Sequence, residues 1–170
     1  LDFVHRLEGD RVGLIPFAGT AFLVCPLTID YSAFESTLGA VDTAIIPRGG
    51  TNLAAAIDLA GSALTGDNHH KILILLTDGE NLEGDALAAA AKAGENGMTI
   101  FTVGVGTPEG ELIPQPEKGG GQFLKDEMGR FVTSRLDEPA LAAIAAAAGG
   151  QFVALGKNGE GLEQIYQQKL

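Results

Sequence analysis

The sequence predicts an α/β protein: a doubly wound, mostly parallel sheet with helices on both faces and one antiparallel hairpin at its edge. Three observations predict it. Two runs, Ile72 to Leu76 and Thr99 to Val105, are apolar on both alternating faces, as strands are when a sheet is covered on each side. Segments with apolar residues at helical spacing lie between and after these runs, the order that gives parallel strands and crossover helices. The chain has 170 residues and is 45% hydrophobic, enough for one domain with a sizeable core and too little for two ordinary ones.

Taken in order, Leu1 to Leu7 has the look of the inside of an amphipathic helix, ending near Glu8-Gly9-Asp10. Val12 to Phe17 reads as a strand, Ala18-Gly19 as a turn and Ala21 to Cys25 as a second strand, together a hairpin whose Pro16 favours the sheet edge. Thr28-Ile29-Asp30 can cap a helix over Tyr31 to Leu38. Pro47 to Asn52 is a loop by composition, and Leu53, Ile57, Ala60 and Leu64 mark one face of the helix that follows. Ile72 to Leu76 is expected mid-sheet. Asp85 to Ala93 is helical and stopped by Gly94 and Gly97, ahead of the strand at Thr99 to Val105. Residues 106–121 read as an exposed loop. Gln122 to Lys125 and Arg130 to Thr133 flank a glycine turn as a small hairpin. Asp137 caps a helix with Pro139 in its first turn and Leu141, Ile144, Ala145 and Ala148 on its apolar face. Phe152 to Leu155 is a last strand, and Leu162, Ile165 and Tyr166 mark a closing helix.

The formal charge of −11 argues against a nucleic-acid surface, which needs Lys and Arg against phosphate. It suits a soluble protein, a cation site or a basic partner. A single cysteine, Cys25, excludes an internal disulfide and sits in an apolar run, as a buried structural thiol does. No apolar run approaches the roughly 18 residues of a membrane span, and the opening residues do not read as a signal peptide.

Two places carry chemistry. Thr77-Asp78-Gly79-Glu80 follows the most apolar strand, and ligands of open α/β sheets bind beyond the carboxyl ends of strands. A carboxylate there suits a hard cation, although Asp78 could equally cap a turn. In Gly49-Gly50-Thr51-Asn52, two glycines allow a sharp bend before a helix, and Thr51 could be a ligand or simply an N-cap. Other signals are weaker. Gly104-x-Gly106 continues into Thr107-Pro108 rather than a helix, so it is no dinucleotide loop. His69-His70 has no partner at ligand spacing and reads as a solvated turn; His5 reads as surface. Ser62 lies on a helix pattern, not a nucleophile elbow, and the acidic residues 109, 111, 117, 126 and 127 are scattered.

Taken together, the hairpin, the Gly-Gly-Thr-Asn loop, the helix, the buried strand and Thr-Asp-Gly resemble the von Willebrand factor A-type domain over nearly the whole chain, which implies a Rossmann-like fold. That family has a metal-ion-dependent adhesion site (MIDAS) built from three loops. The resemblance places its Thr on Thr51 and its Asp on Asp78, with Gly49, Gly50 and Gly79 shaping the loops. The first loop, an Asp-x-Ser-x-Ser at the end of the first strand, does not occur in these 170 residues. It is expected upstream of Leu1, on a strand between those at 12–17 and 72–76, which makes the chain an incomplete domain with an incomplete site. The segments Gly9 to Ile15, Phe17-Ala18-Gly19, Pro26 to Asp30 and Phe123 to Leu136 resemble bacterial membrane-anchored members of the aerotolerance-operon (Bat-like) type.

The resemblance implies a non-enzymatic interaction module. It would hold Mg²⁺, or Mn²⁺ or Ca²⁺, in the complete domain and only weakly here. The implied partners are a protein ligand offering a carboxylate and a MoxR-type AAA+ ATPase, and the parent would be anchored in the bacterial inner membrane. Self-association through the exposed sheet edge is a further expectation. The rival readings are a metal-dependent hydrolase using Asp78 with Glu80 beside it, and a structural scaffold with an inactive metal site.

Overall fold

The computed structural model describes residues 3–7, 9–42, 45–46, 48–66, 69–81, 83–114, 123–126 and 128–169. The starts of four helices are set by short polar side chains. Asp30, Asn52, Asp85 and Asp137 each accept the backbone N–H three residues on, at 3.0, 2.9, 2.9 and 3.0 Å. Such caps satisfy N–H groups that a helix leaves unpaired at its first turn. They open α1 (Tyr31–Ala40), α2 (Leu53–Ala63), α3 (Ala86–Glu95) and α4 (Glu138–Ala147). A further helix, α5 (Glu160–Lys169), closes the chain.

Among the described residues the strands fall into three ladders. The hairpin is β1 (Val12–Leu14) with β2 (Cys25–Thr28), antiparallel. The main sheet is β3 (Lys71–Thr77), β4 (Met98–Gly104) and β7 (Phe152–Ala154), all parallel in the order β3-β4-β7. Lys71 to Thr77 lie in register with Met98 to Gly104 along the full strand. A small antiparallel pair, β5 (Glu111–Leu112) and β6 (Thr133–Ser134), stands beyond the sheet's carboxyl end.

Helices cover both faces of the main sheet, as the two-sided apolar runs require. On one face Leu75 and Ile100 pack with Leu53, Ile57, Ala90 and Ile144 from α2, α3 and α4. On the other, Phe101, Val103 and Val153 pack with Ile165 of α5, joined by Ile72 and Ile74. Thr102, fully buried on β4, donates its hydroxyl to the Leu141 carbonyl at 2.9 Å, so its burial leaves no orphan polar group.

Ile72 to Leu76 was expected mid-sheet, but β4 holds the central place; β3 pairs only with β4 among the described residues, and Leu76 is 46% exposed. Two-sided apolar patterning reports covered faces and says nothing about covered edges. Nor does β3 pair with the strand at 12–17, so the two flank an open groove of about 1890 Å³ lined by Val12 to Phe17 and Lys71 to Asp78.

The hairpin is shifted. Its second strand begins at Cys25, where the sequence expected it to end, and Phe17 and Ala21 share only an isolated bridge. Pro16 has no N–H for a regular ladder, and the chain loops instead, with Phe22 donating to the Pro16 carbonyl at 3.1 Å. The opening helix is a single 3₁₀ turn, Val4–Arg6, with Leu1, Asp2 and Glu8 outside the described residues. Val4, Cys25 and Phe34 form a small core of their own under the hairpin. Cys25 is buried, as its apolar run implied.

The stretch expected as an exposed loop contributes β5 to a ladder with β6. The hairpin beyond it closes at a glycine turn, as expected: Lys125 bridges Phe131, and Gly129 donates to the Asp126 carbonyl at 2.9 Å. The Arg130 backbone amide holds the Asp126 carboxyl below the ordinary carboxylate value, helped by the Arg130 guanidinium. Residues 115–122 and 127 of this region, including Gln122, Glu117 and Glu127, lie outside the described residues. No helix among the described residues is long and apolar enough to cross a membrane.

Candidate metal site

The loop after β3 carries Asp78. Its conformation is fixed by Thr77, whose buried hydroxyl accepts the Gly79 N–H at 3.2 Å, and by Asp78 itself, whose Oδ1 accepts the Glu80 N–H at 3.1 Å. Gly79 has φ +86°, and a Cβ there would lie 2.9 Å from the Asp137 carbonyl and 3.0 Å from Leu141. Only glycine passes between this loop and the start of α4 without displacing one of them. The backbone follows the same contact, with Asp137 donating to the Asp78 carbonyl at 2.8 Å.

The loop before α2 carries Thr51. The cap of α2 is Asn52, not Thr51, so the Thr51 hydroxyl is not used to start the helix. The same loop is tied to the hairpin: Asn52 donates to the Ala18 carbonyl at 2.8 Å and Gly19 to the Arg48 carbonyl at 3.2 Å. Of the expected loop-shaping glycines, Gly50 has φ +107°, whereas Gly49 has open space around it and an ordinary φ. The close approach falls on Gly19 instead, where a Cβ would meet the Gly49 carbonyl at 2.3 Å. Pro47 lies outside the described residues.

The two loops are joined to each other. Glu83 donates its N–H to the Thr51 carbonyl at 3.1 Å, and its carboxylate takes Arg48 Nη2 at 2.7 and 2.8 Å. Asn81 accepts the Leu53 N–H at 3.2 Å. Thr51 and Asp78 are both half-buried and both line the groove between β1 and β3, at the end where β3 finishes. Glu80 does not line that groove; its carboxylate faces the Arg135 amide, at 3.4 Å.

A third residue at the site was not expected. Ser134, on β6, donates its hydroxyl to Asp78 Oδ2 at 2.6 Å across 56 positions of sequence, and it lines the same groove. Nothing in the run Thr133-Ser134-Arg135 distinguishes that serine from a solvated one. His69 and His70 are exposed, and His5 is an exposed partner of Glu35 at 2.8 Å. Among the described residues no cluster of three or more His, Cys, Asp or Glu side chains could hold a metal.

Thr51 and Asp78 fit a hard divalent cation in kind, since both offer oxygen, and fall short of a six-oxygen shell in number.

A parallel sheet with helices on both faces and an antiparallel hairpin beside it defines an open, Rossmann-like α/β domain, the class in which loops beyond the carboxyl ends of the strands carry the site. The family model described as von Willebrand factor type A domain matches residues 1–168, and the chain belongs to that family. Within it, the chain is Bat-like. It is 34% identical to an aerotolerance-related membrane protein from Bacteroides fragilis carrying multiple mutations to serine, with a TM-score of 0.91 over 98% of this chain and 82% of that one. It is 35% identical to the conserved hypothetical protein BatB from Bacteroides thetaiotaomicron, with a TM-score of 0.92 over 98% and 80%. Proximal thread matrix protein 1 from the mussel byssus, with a zinc-occupied MIDAS motif, shares the fold at 19% identity and a TM-score of 0.68, over 96% of this chain and 37% of that one. No curated protein matches the chain in sequence.

Proposed function

We propose that this domain is a metal-dependent protein-interaction module of a bacterial membrane-anchored protein. The observation that supports the reading is that the loops carrying Thr51 and Asp78 are hydrogen-bonded to each other and that both residues line one groove. Thr51 would offer its hydroxyl directly, and Asp78 its carboxylate directly or through water. Mg²⁺, or Mn²⁺ or Ca²⁺, would supply one open coordination position for a carboxylate of a partner protein. An extended strand upstream of Leu1 would lie in the groove between β1 and β3 and bring the remaining oxygen ligands. A MoxR-type AAA+ ATPase is the partner we favour, from the likeness to aerotolerance proteins.

Hydrolysis is the weaker reading. It needs a second catalytic group beside Asp78, and Glu80, the nearest candidate by sequence, faces the Arg135 amide outside the groove. Calorimetric titration tests the proposal. The 170-residue chain should bind Mg²⁺ weakly or not at all, because two protein ligands leave most of the shell to water. The protein carrying the upstream segment should bind it much more tightly. Micromolar Mg²⁺ binding by the 170-residue chain, lost in Asp78→Ala, would show that the site needs no upstream strand.

A further inference from the structure

We infer that Ser134 is a positioning residue for the Asp78 carboxylate, so that the β5–β6 pair, and not only the sheet-end loops, sets the metal site. The inference rests on the proposed metal-binding role of Asp78. An aspartate carboxylate, on a single methylene, turns readily about its last torsion, whose preferences are broad. Here both oxygens are held from different parts of the chain. Oδ1 takes the Glu80 N–H of its own loop, at 3.1 Å, and Oδ2 takes the Ser134 hydroxyl, at 2.6 Å. The second bond is short and charge-assisted, the stronger kind.

Ser134 is itself held in place by backbone on both sides. Its ladder partner is Glu111. Just after it, Leu136 donates to the Thr107 carbonyl at 3.0 Å and Asp137 to the Asp78 carbonyl at 2.8 Å. The hydroxyl therefore meets the carboxylate without ordering a free loop. Oδ1 also takes the Thr77 hydroxyl, at 3.5 Å, so Oδ2 is the oxygen that keeps a lone pair for a cation or its water, and Ser134 fixes the direction in which it points. Partners of this kind, one bond removed from the ion, typically change metal affinity by about 10–100-fold when lost.

The test is Mn²⁺ affinity of the full-length protein, read by calorimetry and by the electron paramagnetic signal of free Mn²⁺. Ser134→Ala should weaken binding by about 10–100-fold, with a melting temperature close to that of the wild type in the metal-free protein. Ser134→Thr, which keeps a hydroxyl, should restore most of the affinity, and Ser134→Val, of the same shape without it, should not. The Thr and Val pair also decides the matter if the alanine variant folds poorly, since both suit a strand. Equal affinity of the Thr and Val variants, with Asp78→Ala unable to bind, would overturn the role of Ser134 and leave the metal reading intact. Binding unchanged by Asp78→Ala, or no Mn²⁺ uptake by the wild type, would remove the metal reading and this inference with it.

Discussion

Asp78→Ala should abolish metal-dependent partner binding by the full-length protein while leaving the fold almost untouched. The substitution takes away the one carboxylate that lines the mouth of the groove from the β3 loop. Loss of a group one bond removed from a metal already costs about 10–100-fold in affinity, so loss of a proposed ligand should exceed the upper end of that range. The fold loses only the acceptor of the Ser134 and Thr77 hydroxyls and of the Glu80 amide. Net hydrogen bonds of this kind contribute about 1 kcal/mol each, against a domain stability of about 5–15 kcal/mol. Metal-dependent capture of the partner and a thermal melt, run on the same preparation, separate the two effects. Glu80→Ala is the informative companion: binding should survive it, whereas a hydrolase using Asp78 and Glu80 would lose activity with either.

The second large effect concerns the edge of β3. If an upstream strand fills the groove, the β3 amides that point away from β4 should become protected from hydrogen exchange in the longer protein. Amides along a parallel strand alternate in direction, so a strand of this length offers roughly three to such a neighbour. Ladder bonds worth about 1 kcal/mol net each would add about 3 kcal/mol, or roughly 100-fold slower exchange. The half-exposed Leu76 should also be covered. Equal exchange of Ile72 to Leu76 in the short and long chains would rule out the strand. A doubled mass in solution, with protection already present in the short chain, would mean that a second copy fills the groove instead.

The fold was legible wherever local chemistry decides. The caps at Asp30, Asp85 and Asp137 stand at the boundaries the sequence implied, because an Asx side chain three residues before a free amide acts within one turn. The faces of β3 and β4 were legible from their apolar alternation. What escaped depends on contacts distant in sequence. The hairpin slid because Pro16 could not join its ladder, and the apolar run at 21–25 gave no sign of which residues would pair. The edge position of β3 is invisible to a pattern that records only its two faces.

At the site, Asp78 could be nominated because strand ends are where such sheets bind ligands, and Thr51 because of the motif that surrounds it. The role of Gly19 as the point of close approach follows from packing between loops, which composition does not report, whereas Thr51 and Asn52 are both cap formers side by side and local chemistry alone did not choose between them. Ser134 was beyond reach, since a serine next to threonine in a hairpin is ordinary until Asp78 is found opposite it.

The central claim is that a divalent cation binds between the Thr51 and Asp78 loops. The most direct measurement is paramagnetic broadening of backbone amide signals by substoichiometric Mn²⁺ in the protein carrying its upstream segment. The account predicts broadening centred on residues 50–52 and 77–80, extending to Ser134, and its disappearance in Asp78→Ala. Broadening centred on His69 and His70 or on the Asp126 turn, or broadening that persists in Asp78→Ala, would contradict it.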